Sequence, residues 1–196
     1  MEQYDERTAL VIVDVQNDFT DPAGGLAVAD AEAILPTVNA RIEACRSAGG
    51  FVVYTQDWHP PRTPHFDTDG GPWPVHCVRD TWGAELHPDL VVDGPIVRKG
   101  VDGGDGYSGF SVRDPISGDV SRTELGGLLE RNDVARVVVV GLAGDVCVAA
   151  TAEDAAASGF ATRVPLEATR MVELNEGDGA RAVARMRAAG VEVDGG

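Results

Sequence analysis

Asp57 and His59 stand two residues apart in DWHPPRTPH, and His65 and His76 follow in the same stretch, the latter in WPVHC. On an extended chain, side chains two apart point to one side, so the Asp-x-His pair can act together. A carboxylate with imidazoles suits a divalent zinc, manganese or iron ion. The alternative is a chance group of surface histidines, and it is weakened because all four histidines lie between positions 59 and 87. His87, in ELHP, reads as a surface residue.

A second set of residues could do nucleophilic chemistry. Cys147 lies in GLAGDVCVAATAED, directly after an apolar run and at the start of a predicted helix. A helix N-terminus offers free N–H groups and partial positive charge, which lower a thiol's pKa and can hold an oxyanion. Asp14 follows LVIV, where a carboxylate is costly unless paired or functional. Beside a thiol it could act as a general base; alone it could equally be a turn cap, as could Asp18 and Asp21. Lys99 is the only lysine, against 15 arginines. Lysine is a compact charge with a movable pKa, which points to chemistry at this one position. Cys45 and Cys77 read as structural, and the odd count of three cysteines lacks a zinc-type C-x-x-C spacing. Phe19, Trp73 and Tyr107 fall in loops and could line a pocket for a flat ring.

Short β-branched runs at 8–13, 51–55, 95–98, 136–140, 161–165 and 191–193 read as six strands. Between several of them lie segments with helical spacing, at 31–48, 121–131, 147–158 and 179–189. Ser121 and Glu124 have the spacing of a capping box for the second of these. Alternating strands and helices predict an α/β, three-layer α/β/α architecture: a six-stranded, mostly parallel sheet with helices on both faces. In such sheets the ligand crevice lies beyond the carboxyl ends of the strands. Asp14, Asp57, Lys99 and the 141–147 segment all follow or end strands, so they are predicted to share one rim. The stretch 58–94 does not fit the alternation; it holds every tryptophan and histidine and reads as a functional loop within a single domain spanning 1–196.

With 32 acidic against 16 basic residues, the net charge of -16 disfavours nucleic acid and anionic membranes as partners. No apolar run approaches the roughly 20 residues of a membrane span, and the start lacks a secretory pattern. A cytoplasmic protein with free thiols, monomeric or homo-oligomeric, is the expectation.

Taken together, VDVQNDF, DWH with HFD and WPVHC, VRKG, GYSGF and GLAGDVCVAATAED resemble the nicotinamidase/pyrazinamidase group of the isochorismatase-like cysteine hydrolases. The resemblance implies that fold, a small pyridine carboxamide substrate and one divalent metal ion (zinc, iron or manganese). It implies Asp14, Lys99 and Cys147 as the catalytic residues, and Asp57, His59 and His76 as metal ligands, with His65 matching a further histidine of some members. The backbone N–H groups of Ala143 and Cys147 would form an oxyanion hole, with a cis peptide between Leu142 and Ala143. Ring contacts carry over to Phe19, Trp73 and Tyr107. The implied reaction is hydrolysis of nicotinamide, and of pyrazinamide, through a Cys147 thioester in NAD salvage. A related amidohydrolase acting on an N-carbamoyl compound is the alternative. Two positions depart from the group: Gly144, where Thr is common, and Val146, where His or an aromatic is frequent. Gly144 is expected to loosen the oxyanion turn or widen the pocket.

Overall fold

The computed structural model describes residues 4–195. In chain order the elements are β1 (Thr8–Val13), α1 (Asn17–Thr20), α2 (Leu35–Ser47), β2 (Phe51–Asp57), β3 (Ile96–Lys99), β4 (Ser111–Arg113), β5 (Val120–Arg122), α3 (Leu125–Arg131), β6 (Arg136–Leu142), α4 (Cys147–Ala157), β7 (Ala161–Pro165), β8 (Thr169–Arg170), α5 (Asp178–Ala188) and β9 (Glu192–Asp194). TALVIV in β1 is buried at every position, as is RVVVVGL in β6 after its first residue. Strands that are apolar on both alternations belong in the middle of a sheet covered twice.

The main path of the sheet runs β3-β2-β1-β6-β7-β9, with all neighbours parallel. These are the six predicted strands, but the sheet has seven, because the two residues of β8 pair with Gly141 and Leu142 of β6. One face of the sheet packs Leu10, Ile12, Tyr54 and Val140 against Val38 and Ile42 of α2. Its other face packs Val11, Val53 and Val139 against Leu125 and Leu129 of α3, Val148 and Ala152 of α4, and Ala182 and Met186 of α5. Helices therefore cover both faces. Among the described residues no helix is long and apolar enough to cross a membrane.

Two predicted helices begin later than their pattern suggests. The segment 31–34 is 3-10, and the α-helix starts at Leu35 with Pro36 in its first turn. Residues 120–122 are not helical but form β5, which pairs antiparallel with β4 in a separate hairpin. The N-cap position is Glu124, which makes no side-chain capping bond, and the Leu125 N–H is accepted at 3.2 Å by Oγ1 of the preceding Thr123 rather than by Ser121. Exposed strand residues with a Ser and Glu at capping spacing mimic a helix start, and only the pairing with β4 separates the two.

From β1 the chain steps outward to β2 and β3, and β6 then enters on the opposite side of β1. The switch in direction opens a crevice beyond the carboxyl ends of β1 and β6. Gly141 lets the two strands approach there. Its φ is +109°, and a Cβ would lie 2.1 Å from the Val13 carbonyl oxygen.

Candidate active site

Each chemically capable residue on this rim is placed by a strand end. Asp57 and Lys99 are the last residues of β2 and β3 and are register partners, which sets their side chains next to each other. Asp14 follows β1 with φ +48°, a left-handed conformation that Asp tolerates better than most residues. Cys147 is the first residue of α4. The Leu142–Ala143 peptide is cis, as the resemblance implied. Ala143 follows β6 directly, and the Cys147 N–H, at the first helical position, has no partner within the helix.

Lys99 is fully buried, and its ammonium is the hub of the site. Nζ lies 2.7 Å from Asp14 Oδ2, 2.6 Å from Asp57 Oδ1 and 3.7 Å from Cys147 Sγ, and it donates to the Gly106 carbonyl. Thr55 Oγ1 donates to Asp14 Oδ1 at 2.6 Å. Asp14, Asp57 and Cys147 form a compact group of donors, but the ammonium already occupies the place a cation would take.

Burial shapes the acid and base strengths. It raises the Asp14 carboxyl to about 6, against the opposing pull of Lys99. For Lys99, burial favours the neutral form, yet the Asp14 and Asp57 carboxylates outweigh it and hold the ammonium well above its ordinary range. Burial likewise raises Asp57, but the Lys99 charge prevails and holds it below the ordinary carboxylate range. The Cys147 thiol corrects the expectation of a lowered pKa. Burial pushes it well above its usual value, Lys99 offsets part of this, and Asp14 and Asp57 add to it. Desolvation thus dominates and favours the protonated form of the resting thiol.

Next to this cluster, the 58–94 stretch brings His59, His65 and His76 together, each buried and each offering a ligand atom within 4.8 Å of the others. The ring of His59 stacks on His65 at 4.6 Å. His76 Nδ1 donates to the Pro74 carbonyl at 2.7 Å and His65 Nδ1 to Asp105 Oδ1 at 2.6 Å, which leaves Nε2 of each free. Neither nitrogen of His59 has a hydrogen-bond partner among the described residues, although the ring is fully buried. Burial lowers the His59 pKa to about 4, with His65 and His76 adding to the effect, so the ring is a neutral potential ligand. Asp57 Oδ1 is 3.8 Å from His59 Nε2. Three imidazoles and a carboxylate, with an otherwise orphaned buried ring, fit a divalent metal ion.

A cavity opens against Cys147, lined by the polar Asp57, His65 and His76 and by the apolar Leu26, Val28, Val146 and Val172. Phe19, Trp73 and Tyr107 all line it. Trp73 Nε1 donates to the Tyr107 hydroxyl at 2.9 Å, which fixes both rings. Gly144 does not widen this cavity. A Cβ there would lie 2.6 Å from Met171 Sδ and 2.9 Å from Thr169 Oγ1, so neighbouring side chains already fill the space. His87 stands apart from the cluster and accepts the Asp89 N–H. Asp18 and Asp21 serve loops, Asp18 accepting the N–H groups of Gly25 and Cys77 and Asp21 that of Ala23. All three cysteines are free.

Sequence reasoning missed two residues, Gln16 and Asp105, and one contact of Asp57. Buried Gln16 clamps the Asp57 backbone, donating to its carbonyl and accepting its N–H at 2.8 Å each. Asp57 also touches Lys99, so it belongs to both clusters. Asp105 holds His65. Gln16 stands among the polar residues Asp14, Asn17 and Asp18 in VDVQNDF, so nothing in its spacing singles it out.

Residues 8–194 match the Isochorismatase domain family. The chain is 38% identical to the nicotinamidase of Acinetobacter baylyi over 203 residues, covering 94% of this chain and 90% of that protein. Two solved structures superpose closely. The pyrazinamidase of Pyrococcus horikoshii in complex with zinc gives a TM-score of 0.84 at 37% identity, covering 96% of this chain and 98% of that one. PnC1 from L. infantum in complex with nicotinate gives 0.89 at 36% identity, covering 98% and 95%. On these grounds, and with its cysteine, aspartate and lysine gathered at the strand ends, the chain belongs to the isochorismatase family of hydrolases.

Proposed function

We propose that this protein hydrolyses nicotinamide to nicotinate and ammonia through a thioester on Cys147, with Asp14 and Lys99 as its catalytic partners. The observation that carries this reading is the buried Lys99 ammonium, within 3.7 Å of Asp14, Asp57 and the Cys147 sulfur, where Asp57 and Cys147 also line an aromatic cavity that His65 and His76 border. The nicotinamidase and pyrazinamidase relatives support the substrate class.

Asp14, ionised above about pH 6, takes the thiol proton as the sulfur attacks the carboxamide carbon. Lys99 holds the ammonium charge beside the forming thiolate, so the thiol's high resting pKa is met by a fixed cation during attack. The developing oxyanion meets the N–H groups of Ala143 and Cys147. Asp14 then returns the proton to the amine; the C–N bond breaks, ammonia leaves and a thioester remains. In the second half Asp14 accepts a proton from water, the hydroxyl adds to the thioester carbon, and the C–S bond breaks with the proton returned to sulfur.

Asp57, His59, His65 and His76 would hold a zinc, iron or manganese ion, which when bound supplies a coordination position that orients the pyridine nitrogen. Phe19, Trp73 and Tyr107 grip the ring faces and edge and exclude water. The 58–94 stretch is thereby the metal and substrate loop of a single domain. The same reading places the enzyme in cytoplasmic NAD salvage, with pyrazinamide as a second substrate.

The test is ammonia release from nicotinamide by the purified protein before and after chelation. Turnover that is lost in Cys147→Ala and reduced by chelation is expected. Equal release by wild type and Cys147→Ala would overturn the reading.

A further inference from the structure

His59, His65 and His76 differ in what holds their rings. His76 Nδ1 is satisfied by the backbone carbonyl of Pro74, two residues away, and His59 has no hydrogen-bond partner among the described residues. Only His65 is held by a side chain from elsewhere, Asp105, forty positions along the chain, at 2.6 Å. Both side chains are sheltered, at 4% and 15% exposure.

We propose that Asp105 is a positioning residue for metal binding, whose carboxylate fixes His65 in the tautomer and rotation that present Nε2 to His59 and His76. The inference rests on the metal assignment made above. A carboxylate only accepts, so the proton of the neutral imidazole is confined to Nδ1 and the lone pair to Nε2. Such a partner also raises the basicity of the ligating nitrogen. Asp105 is itself held in place. Its N–H donates to the Arg113 carbonyl at 2.7 Å, and its carbonyl accepts the Arg113 N–H at 3.1 Å, so β4 anchors it. The histidine loop is tied to the same segment a second time, because Thr63 Oγ1 donates to the Gly103 carbonyl at 2.6 Å and accepts the His65 N–H at 3.2 Å. Where the segment starts, Gly100 has φ +74°, and a Cβ there would lie 2.4 Å from His59 Cε1. The 100–105 segment thus backs two of the three imidazoles, and Asp105 is its one charged contact with them.

The experiment uses the full-length protein stripped of metal, with Zn²⁺ affinity read by competition against a chromophoric chelator and ligand geometry read from the visible absorption of the Co²⁺-loaded form. Asp105→Ala is expected to weaken Zn²⁺ binding about 10- to 100-fold and to change the Co²⁺ spectrum. Asp105→Asn, whose amide oxygen still accepts from Nδ1, is expected to recover most of the affinity. In a His65→Ala background, Asp105→Ala is expected to cost nothing further, and the metal-free variants should unfold at the wild-type temperature. Wild-type affinity and spectrum in Asp105→Ala, or a full further loss in the His65→Ala background, would overturn the proposal. A wild-type protein that takes up neither Zn²⁺ nor Co²⁺ would overturn the metal assignment itself, a result distinct from normal binding that ignores Asp105.

Discussion

Lys99 carries its charge into full burial, where an unpaired cation would be prohibitive, and two carboxylates and a carbonyl stabilise it. The space around Nζ is set for a single nitrogen with contacts in several directions, and a planar guanidinium cannot reproduce them. Lys99→Arg is therefore expected to lower kcat at least about 100-fold, as loss of a preorganised charge stabiliser does, measured as ammonia release at saturating substrate. Asp14 sets the pH dependence. Burial raises its carboxyl to about 6, and only the ionised form can accept the thiol proton. So kcat/KM should fall about tenfold per pH unit below about 6 and level off above it, and Asp14→Asn should leave a flat, low profile across the same range. Retention of the wild-type profile by that variant would remove Asp14 from the proton path. These residues were legible one by one because each is a polar group closing an apolar run. Their mutual contacts were not: that Asp57 faces Lys99 depends on β2 and β3 being neighbours in one particular register.

At the scale of elements, the central strands and the helices after them were readable from apolar periodicity, since burial on both faces leaves long β-branched runs. The misread elements are short. β5 has three residues, all exposed, and β8 has two, so neither buries enough to imprint a pattern. The start of α3 offers a direct check. Thr123 Oγ1 accepts the Leu125 N–H, whereas Ser121 is exposed on the hairpin. Thr123→Ala is expected to cost about 1 kcal/mol in denaturant unfolding, and Ser121→Ala less than about 0.5 kcal/mol. The reverse order would restore the capping box that the spacing suggested.

Across the whole molecule, the direction switch beside β1 separates the site's parts by chain order. Asp14, Asp57, the histidines and Lys99 all precede the β4–β5 hairpin, while Ala143 and Cys147 follow it. The two portions meet chiefly along the six-residue register between β1 and β6. At the hairpin turn, Ile116 is 82% exposed. A break there would leave the base, the cation and the imidazoles on one fragment and the nucleophile on the other. Neither piece alone should release ammonia from nicotinamide, and co-expressed fragments should regain turnover as they reassemble. The architecture is in that sense a ready-made split reporter, in which a central strand pairing, not a linker, decides whether the two halves of the chemistry are ever in the same place.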